Sequence, residues 1–342
     1  MDQVSTIGLD TAKHVFQLHG ADCEGNVVFR KKLPRAKLLA FFAAQPLCVV
    51  ALEACGGSHY WAREIGKLGH KVRLIAPKYV KPFVKRQKND AADAEAICEA
   101  AQRPTMRFVA VKSEAAQAGG LVFRTRDLLV RQRTQTINAL RGHMTEYGVV
   151  VAKGAAHVAR LVERLEDPRL QIPDEARSVM RVLTSWLRDL EVKIAELDVE
   201  ITKRAKEDEV ARRLTSIPGI GPITATAISA LAPPTDSFGK ARDFAAWVGL
   251  TPLQKSTGGK QKLGATSKMG ERTIRRLLII GASAVVRQAA LRGPPVGYWL
   301  GRMIARKPRM LVTVALANKM ARIVWALLTK AEVYKAPITV AA

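Results

Sequence analysis

Cysteine is scarce in this 342-residue chain: Cys23, Cys48, Cys55 and Cys98 are the whole supply, and no two form a CxxC pair. That spacing argues against a structural zinc site and fits a reducing compartment. Aromatic residues are only 6% of the chain, too few for base stacking on aromatic platforms to be the main binding mode. The N-terminus, Met1 to Thr6, lacks the basic and apolar regions of a secretory leader, so a cytoplasmic protein is expected. No uninterrupted apolar run reaches membrane length; the best candidate, Val312 to Leu328, carries Lys319 and Arg322 in its middle. No membrane partner is expected. Acid is also missing in a revealing place. From Phe244 to Ala331 the single acid is Glu271, and no acid stands between Arg73 and Asn89.

What is present is positive charge. The formal net charge is +25, while hydrophobic residues make up 48% of the chain. A chain of this length and apolar content builds a sizeable core in two or three domains. So large a charge repels itself and calls for a polyanion, nucleic acid first. Such binding weakens with salt as counterions are released.

The N-terminal hundred residues carry the acids that matter. Val4 to Asp10, Val15 to His19 and Asn26 to Leu33 read as strands joined by turn-length gaps, hence an antiparallel meander. Pro34 to Gln45 reads as a helix. Leu47 to Glu53 is an apolar run fit for a central strand. A helix to about Leu68, a strand from Lys71 to Ala76 and a helix from Asp90 complete the order. That order is the RNase-H-like fold, in which acids from the first strand, the fourth strand and a later helix converge. Here they are Asp10, Glu53, Asp90 and Asp93. Two like charges at about 4 Å repel by roughly 4 kcal/mol at an effective dielectric of 20. Four ionised carboxylates therefore need a cation, and hard oxygen ligands select Mg2+ or Mn2+. Taken singly, each acid also has an ordinary reading as a strand-end turn residue or a helix cap. Lys13 beside the first acid, and Lys85 and Arg86 ahead of the helix, are candidate phosphate contacts. Gly8 to Lys13 is also similar to the first phosphate loop of actin-like ATPases, but the second glycine-rich acidic loop of that fold is missing from the sequence.

Further along, Leu121, Leu128, Ile137 and Leu140 form a loose helical stripe with arginines opposite. After a break at Gly148 to Pro173, the residues Val179, Leu183, Trp186, Leu190, Ile194, Leu197 and Ile201 alternate spacings of four and three, a coiled-coil seam. A dimerising arm is expected, with an antiparallel helix pair in a monomer as the alternative. Ile217-Pro218-Gly219-Ile220-Gly221 joins two helices and resembles the hairpin of helix-hairpin-helix DNA-binding modules. Gly219 and Gly221 would let backbone N–H groups approach a phosphate; the alternative is a glycine cap between packed helices. Thr251 to Gly264 is a glycine-rich basic loop suited to phosphate, with Lys255, Lys260, Lys262 and Ser256, followed by Lys268, Arg272 and Arg275. By composition alone Ser256 is a turn residue.

Taken together, Gly8-Leu9-Asp10, Leu52-Glu53-Ala54, Asn89-Asp90-Ala91-Ala92-Asp93-Ala94, the Gly219 turn, and Ser256-Thr257-Gly258-Gly259-Lys260 continuing to Ser267-Lys268-Met269-Gly270 resemble the transposases of the insertion-sequence 110 family, in its 1111 branch. The resemblance spans nearly the whole chain. It implies a RuvC-like domain at 1–110, a coiled-coil arm at 111–207 for dimerisation and RNA contact, and a mostly α transposase domain at 208–342. It implies Mg2+ (or Mn2+) on Asp10, Glu53, Asp90 and Asp93. It also implies a serine nucleophile forming a covalent phosphoserine link to DNA. Ser256 is its match, and Thr257 stands where many relatives have a second serine. A structured guide (bridge) RNA would pair with target and donor DNA, and homodimers would assemble into a homotetramer. The enzyme would act in the bacterial cytoplasm, on the nucleoid. Two other readings of the residues remain: a metal-dependent Holliday-junction-type endonuclease using water, and a non-catalytic nucleic-acid scaffold.

Overall fold

Alternation of apolar residues builds the N-terminal sheet. Strands β1 (Thr6–Thr11), β2 (Val15–Ala21) and β3 (Val27–Pro34) form the expected meander, and β4 (Val49–Glu53) and β5 (Lys71–Ile75) add in parallel on the other side of β1. A short β6 (Phe108–Val109), not foreseen in the sequence, closes the order β3-β2-β1-β4-β5-β6. The computed structural model describes residues 3–85, 90–293 and 299–335. Arg86, Lys88 and Asn89 of the expected basic ridge and helix cap lie outside these.

Period-two alternation gives the sheet two dissimilar faces. Ile7, Leu9, Val50, Leu52 and Leu74 pack under Phe42 of α1 (Leu38–Ala43) and Trp61 and Ile65 of α2 (Ser58–Lys67). The intervening Ala51 and Ile75 face Ile97 and Ala100 of α4 (Asp90–Ala101), with Val80 of the short α3 (Pro77–Val80). Each large side chain so buried contributes about 1.5–3 kcal/mol. The chain divides into two compact units, Met1–Glu114 and Ala115–Ala342, of which this sheet is the first.

The second unit is mostly helical. Long helices α5 (Glu114–Glu146) and α7 (Asp174–Glu207) flank α6 (Val158–Glu166), a helix inside what read as a plain break. Leu161 and Leu165 of α6 pack on Leu140, Met144 and Met180, which explains it. These contacts also reset the buried stripe of α7 to Met180, Thr184, Leu187, Leu190, Ile194 and Ile201. Of the expected seam Leu190, Ile194 and Ile201 are buried, whereas Val179 and Trp186 are exposed at 68% and 48%. On α5, Leu121 and Leu128 are likewise exposed; Leu140 of the expected stripe is buried, and Phe123 is buried in addition. One acid of α7 meets an arginine of the neighbouring long helix: Arg126 of α5 binds Asp198 in a two-pronged ion pair (2.5 and 3.0 Å).

Phe123 and Ile201 belong to the same core as the C-terminal helices, so the arm segment and the segment after it share one hydrophobic centre. Those helices are α8 (Glu209–Leu214), α9 (Pro222–Leu231), α10 (Ala241–Val248), α11 (Arg272–Arg292), α12 (Trp299–Arg306) and α13 (Arg309–Lys330). Helix α13 is long and apolar enough to cross a membrane by length and composition alone. Its Val312, Leu316, Ala317, Met320 and Val324 are buried against Ile274, Leu278 and Phe244, which makes it a core helix. A two-stranded sheet, β7 (Pro252–Gln254) with β8 (Leu263–Thr266), projects between α10 and α11.

The two faces of α7 should separate cleanly in chemical denaturation. Leu190→Ala is expected to cost about 2–5 kcal/mol, whereas Val199→Ser, at a position 71% exposed, should stay within about 0.5 kcal/mol of the parent.

Candidate active site

Asp10 and Glu53 end neighbouring parallel strands. Leu9 pairs with Leu52, so the next residues stand side by side at the same edge of the sheet. Asp90 and Asp93 lie in the first turn of α4, where the helix dipole favours negative charge. What brings that helix down onto the strands is Gly8. It lies two residues before Asp10 on the face that α4 covers. A Cβ there would collide with the Ala94 carbonyl and sit 2.6 Å from the Cys98 backbone nitrogen. The bare backbone lets helix and strand meet, and the acids follow. Asp10, Asp90 and Asp93 each offer a carboxylate oxygen, and these all lie within 4.8 Å of one another.

The electrostatics register the crowding. Burial raises the Asp10 carboxyl from its ordinary 3.8 to about 6, with the charges of Asp93, Asp90 and Glu53 adding to it. Glu53 is raised too, by burial first and then by Asp93. It is outside the closest group of three but within its field. A cluster that raises its own protonation is one a divalent cation would relieve. The spacing is close to the roughly 4–5 Å between opposite oxygen ligands of such an ion. The residues therefore fit a divalent metal.

The surrounding cations divide. Lys13 is exposed in the turn after β1. Lys85 donates to Glu95 at 2.6 Å, and Arg30 of β3 reaches the same carboxylate at 3.3 Å. This Arg30–Glu95–Lys85 group beside the acids was not read from the sequence, since no local spacing links residues so far apart. A cavity of about 810 Å³ opens at the opposite ends of the strands, by Ser5, Asp22 and Cys48, and takes no part in the site.

In the second unit, Ser256 sits on the hairpin that continues β7 and β8. Gly258 and Gly259 have φ of +54° and +74°, the backbone of a type I′ turn, which needs glycine-like freedom at both positions. The base of the hairpin is stitched to the helices. Gly249 and Gly270, at φ +80° and +83°, allow backbone contacts in which a Cβ would strike the Met269 and Trp247 carbonyls respectively. Arg275 was expected among the phosphate contacts. Its guanidinium instead donates to the Val248 and Met269 carbonyls (2.8 and 3.1 Å), and burial lowers its pKa. Lys255, Lys260, Lys262, Lys268 and Arg272 are exposed around it. Gly219, at φ +87°, lies against α11, where a Cβ would come 2.8 Å from the Gly281 carbonyl; its bareness serves helix packing. Gly221 caps α9 with open space around its Cα.

Two family models match this chain. One, the transposase family IS116/IS110/IS902, covers residues 211–293. The other, the DEDD transposase model of IS110, covers 7–149. Named relatives are similar over almost their full lengths. The "Probable family 20 transposase" of Pseudomonas aeruginosa is 48% identical, over 97% of this chain and 99% of its own. The transposase for insertion sequence element IS1328 of Yersinia enterocolitica is 39% identical over 98% and 99%. The transposase for insertion sequence element IS1111A of Coxiella burnetii is 38% identical over 98% and 92%. An acid-bearing α/β sheet with a basic helical unit is thus a DNA transposase, an enzyme whose partner is DNA. Within that class the chain belongs to the IS116/IS110/IS902 family of insertion-sequence transposases, whose DEDD acids imply use of a divalent metal.

Two measurements test this construction. Gly8→Ala should push α4 off β1 and abolish transposition activity, with metal affinity falling in calorimetry. For Asp10, the folded pKa lies above the unfolded one, so its stabilising contribution is full below pH 3.8 and is lost as pH rises through about 6. Metal-free Asp10→Asn should therefore melt higher than the metal-free parent above pH 6. The two melting curves should converge on acidification, and added Mg2+ should raise the parent more than the variant.

Proposed function

We propose that this transposase moves its element by RNA-guided cleavage and exchange of DNA strands through a covalent phosphoserine intermediate. The observation that carries this reading is the gathering of Asp10, Asp90 and Asp93 within 4.8 Å, with Glu53 beside them. The sheet order β3-β2-β1-β4-β5 supports an RNase-H-like, RuvC-like assignment of residues 1–110. The four acids hold Mg2+ or Mn2+, which when bound neutralises charge on the scissile phosphate and supplies Lewis acidity there. The rest is the work of the chain's own residues. Lys13, Lys255, Lys260, Lys262, Lys268 and Arg272 neutralise the DNA backbone. The Gly219–Gly221 turn, as a helix-hairpin-helix element, brings the N-terminus of α9 to a phosphate.

Ser256 is the nucleophile. Its Oγ forms a bond to phosphorus while the bond from phosphorus to the leaving nucleoside oxygen breaks. The hydroxyl proton passes through water to that oxygen. The phosphodiester energy is kept in the serine link, so strands can be rejoined without an external energy source. No histidine follows His157 in the chain, so no imidazole stands near Ser256 in sequence. Residues 111–207 serve dimerisation and RNA contact, with exposed Arg124 of α5 available to a phosphate backbone. Dimers pair into a tetramer, and the guide RNA carries the sequence information for target and donor. The protein acts in the cytoplasm, on the nucleoid.

Incubation with DNA of the element's ends, RNA transcribed from its flank, and Mg2+ tests the scheme. Ser256→Ala should give no protein–DNA adduct on denaturing gels while RNA binding persists, and Asp90→Asn should lose Mg2+-dependent cleavage without loss of fold. Cleaved DNA with free ends at the normal rate in Ser256→Ala would instead establish a water-using endonuclease. Undiminished activity in chelator would remove the metal from the scheme.

A further inference from the structure

The Ser256 hydroxyl is held in place by its own hairpin. Its Oγ donates to the Gln254 side-chain oxygen at 3.0 Å and accepts the Lys262 backbone N–H at 3.1 Å. A hydroxyl has one proton and two lone pairs. The proton and one lone pair are engaged, which leaves one lone pair uncommitted among the described residues.

The hairpin register makes this a built arrangement. Gln254 pairs with Leu263. The Lys255 N–H reaches the Lys262 carbonyl at 2.8 Å, and Thr257 and Lys260 bond in both directions across the glycine turn at 3.3 and 3.0 Å. The pairing therefore runs without a slip from Gln254 to the turn. Side chains two apart on an extended strand share a face. Gln254 and Ser256 lie together on one face, and Lys255 and Thr257 lie on the other. Thr257 thus falls on the other side of the strand from the Gln254 oxygen that holds its neighbour.

We propose that Gln254 is the positioning residue for Ser256: its side-chain oxygen selects the rotamer in which the Lys262 N–H also reaches Oγ. This rests on the reading of Ser256 as nucleophile. A free serine distributes over about three staggered rotamers. Held as described, it presents one lone pair in one direction. The amide of Gln254 accepts a hydrogen bond but takes no proton. As the hydroxyl proton leaves through water the Gln254 contact opens, and the Lys262 N–H remains as a donor to Oγ, offsetting the charge it carries until its electron pair is given to phosphorus. The sequence signal is Gln-x-Ser running from the end of a short strand toward a Gly-Gly turn. It is legible only once the register is known.

The test compares rates of adduct formation in single turnover, using labelled DNA of the element's ends with flank-transcribed RNA and Mg2+, alongside DNA affinity and melting temperature. Gln254→Leu keeps the length and loses the acceptor. Its adduct rate should fall about 10- to 100-fold at unchanged DNA affinity. Gln254→Glu keeps an acceptor oxygen and should restore most of the rate; Thr257→Ala should form adduct as the parent does. An unchanged rate in Gln254→Leu overturns the assignment. So does a loss that Gln254→Glu fails to restore, or one that follows DNA affinity or melting temperature. Ser256→Ala separates the two levels. Adduct persisting in that variant defeats the nucleophile reading itself. Adduct lost there but undiminished in Gln254→Leu defeats only the role of Gln254.

Discussion

Carboxylates crowded against one another repel, and the first unit is organised to hold them together regardless. The constraint is met by sterics. Gly8 removes the one side chain that would keep α4 away from β1, and the hydrophobic contacts of Ala51, Ile75, Ile97 and Ala100 fix the helix over that face. The acids then have no room to separate, and the cost appears as the raised pKa of Asp10 and Glu53. A site that is unfavourable to itself is favourable to a cation, and that is the physical sense of a cluster of like charges on an otherwise very basic protein.

The second unit solves a different problem, holding a short exposed hairpin steady on a helical base. Backbone-to-backbone approaches at Gly249 and Gly270 and the Arg275 guanidinium tie its root to α10 and α11, and the Asn318 amide of α13 reaches the Leu250 carbonyl at 3.2 Å. Cations that look equivalent in the sequence are therefore not equivalent. Arg275 is committed to carbonyls, Lys85 to Glu95, and Arg276 to Asp127 of α5. Lys255, Lys260, Lys262 and Lys268 remain exposed around the loop. The formal charge of +25 overstates what is available to a nucleic acid by such commitments.

The long helices show how a pattern can be right in kind and wrong in phase. A seven-residue apolar repeat announced α7, and Leu190, Ile194 and Ile201 are buried as it required. In its first half Met180, Thr184 and Leu187 are buried, and Met180 packs with Leu161 and Leu165 of α6 while Leu183 of the expected seam lies partly buried against the same cluster. The repeat fixes that a stripe exists. Which neighbour covers the stripe depends on residues far away in the chain.

The sequence by itself determined the order of β1 to β5 with α1, α2 and α4, the acids at the strand ends and helix start, and the basic C-terminal stretch with its single acid. Each of these is a local matter of alternation, spacing or charge along the chain. Only the tertiary structure decided that Gly8 is the point of closest approach, that Gly219 serves packing against Gly281, that Arg275 is a brace, and that Gln254 holds the Ser256 hydroxyl. These depend on register and on contacts between distant segments, and a pattern along one dimension carries no information about which atoms meet in three.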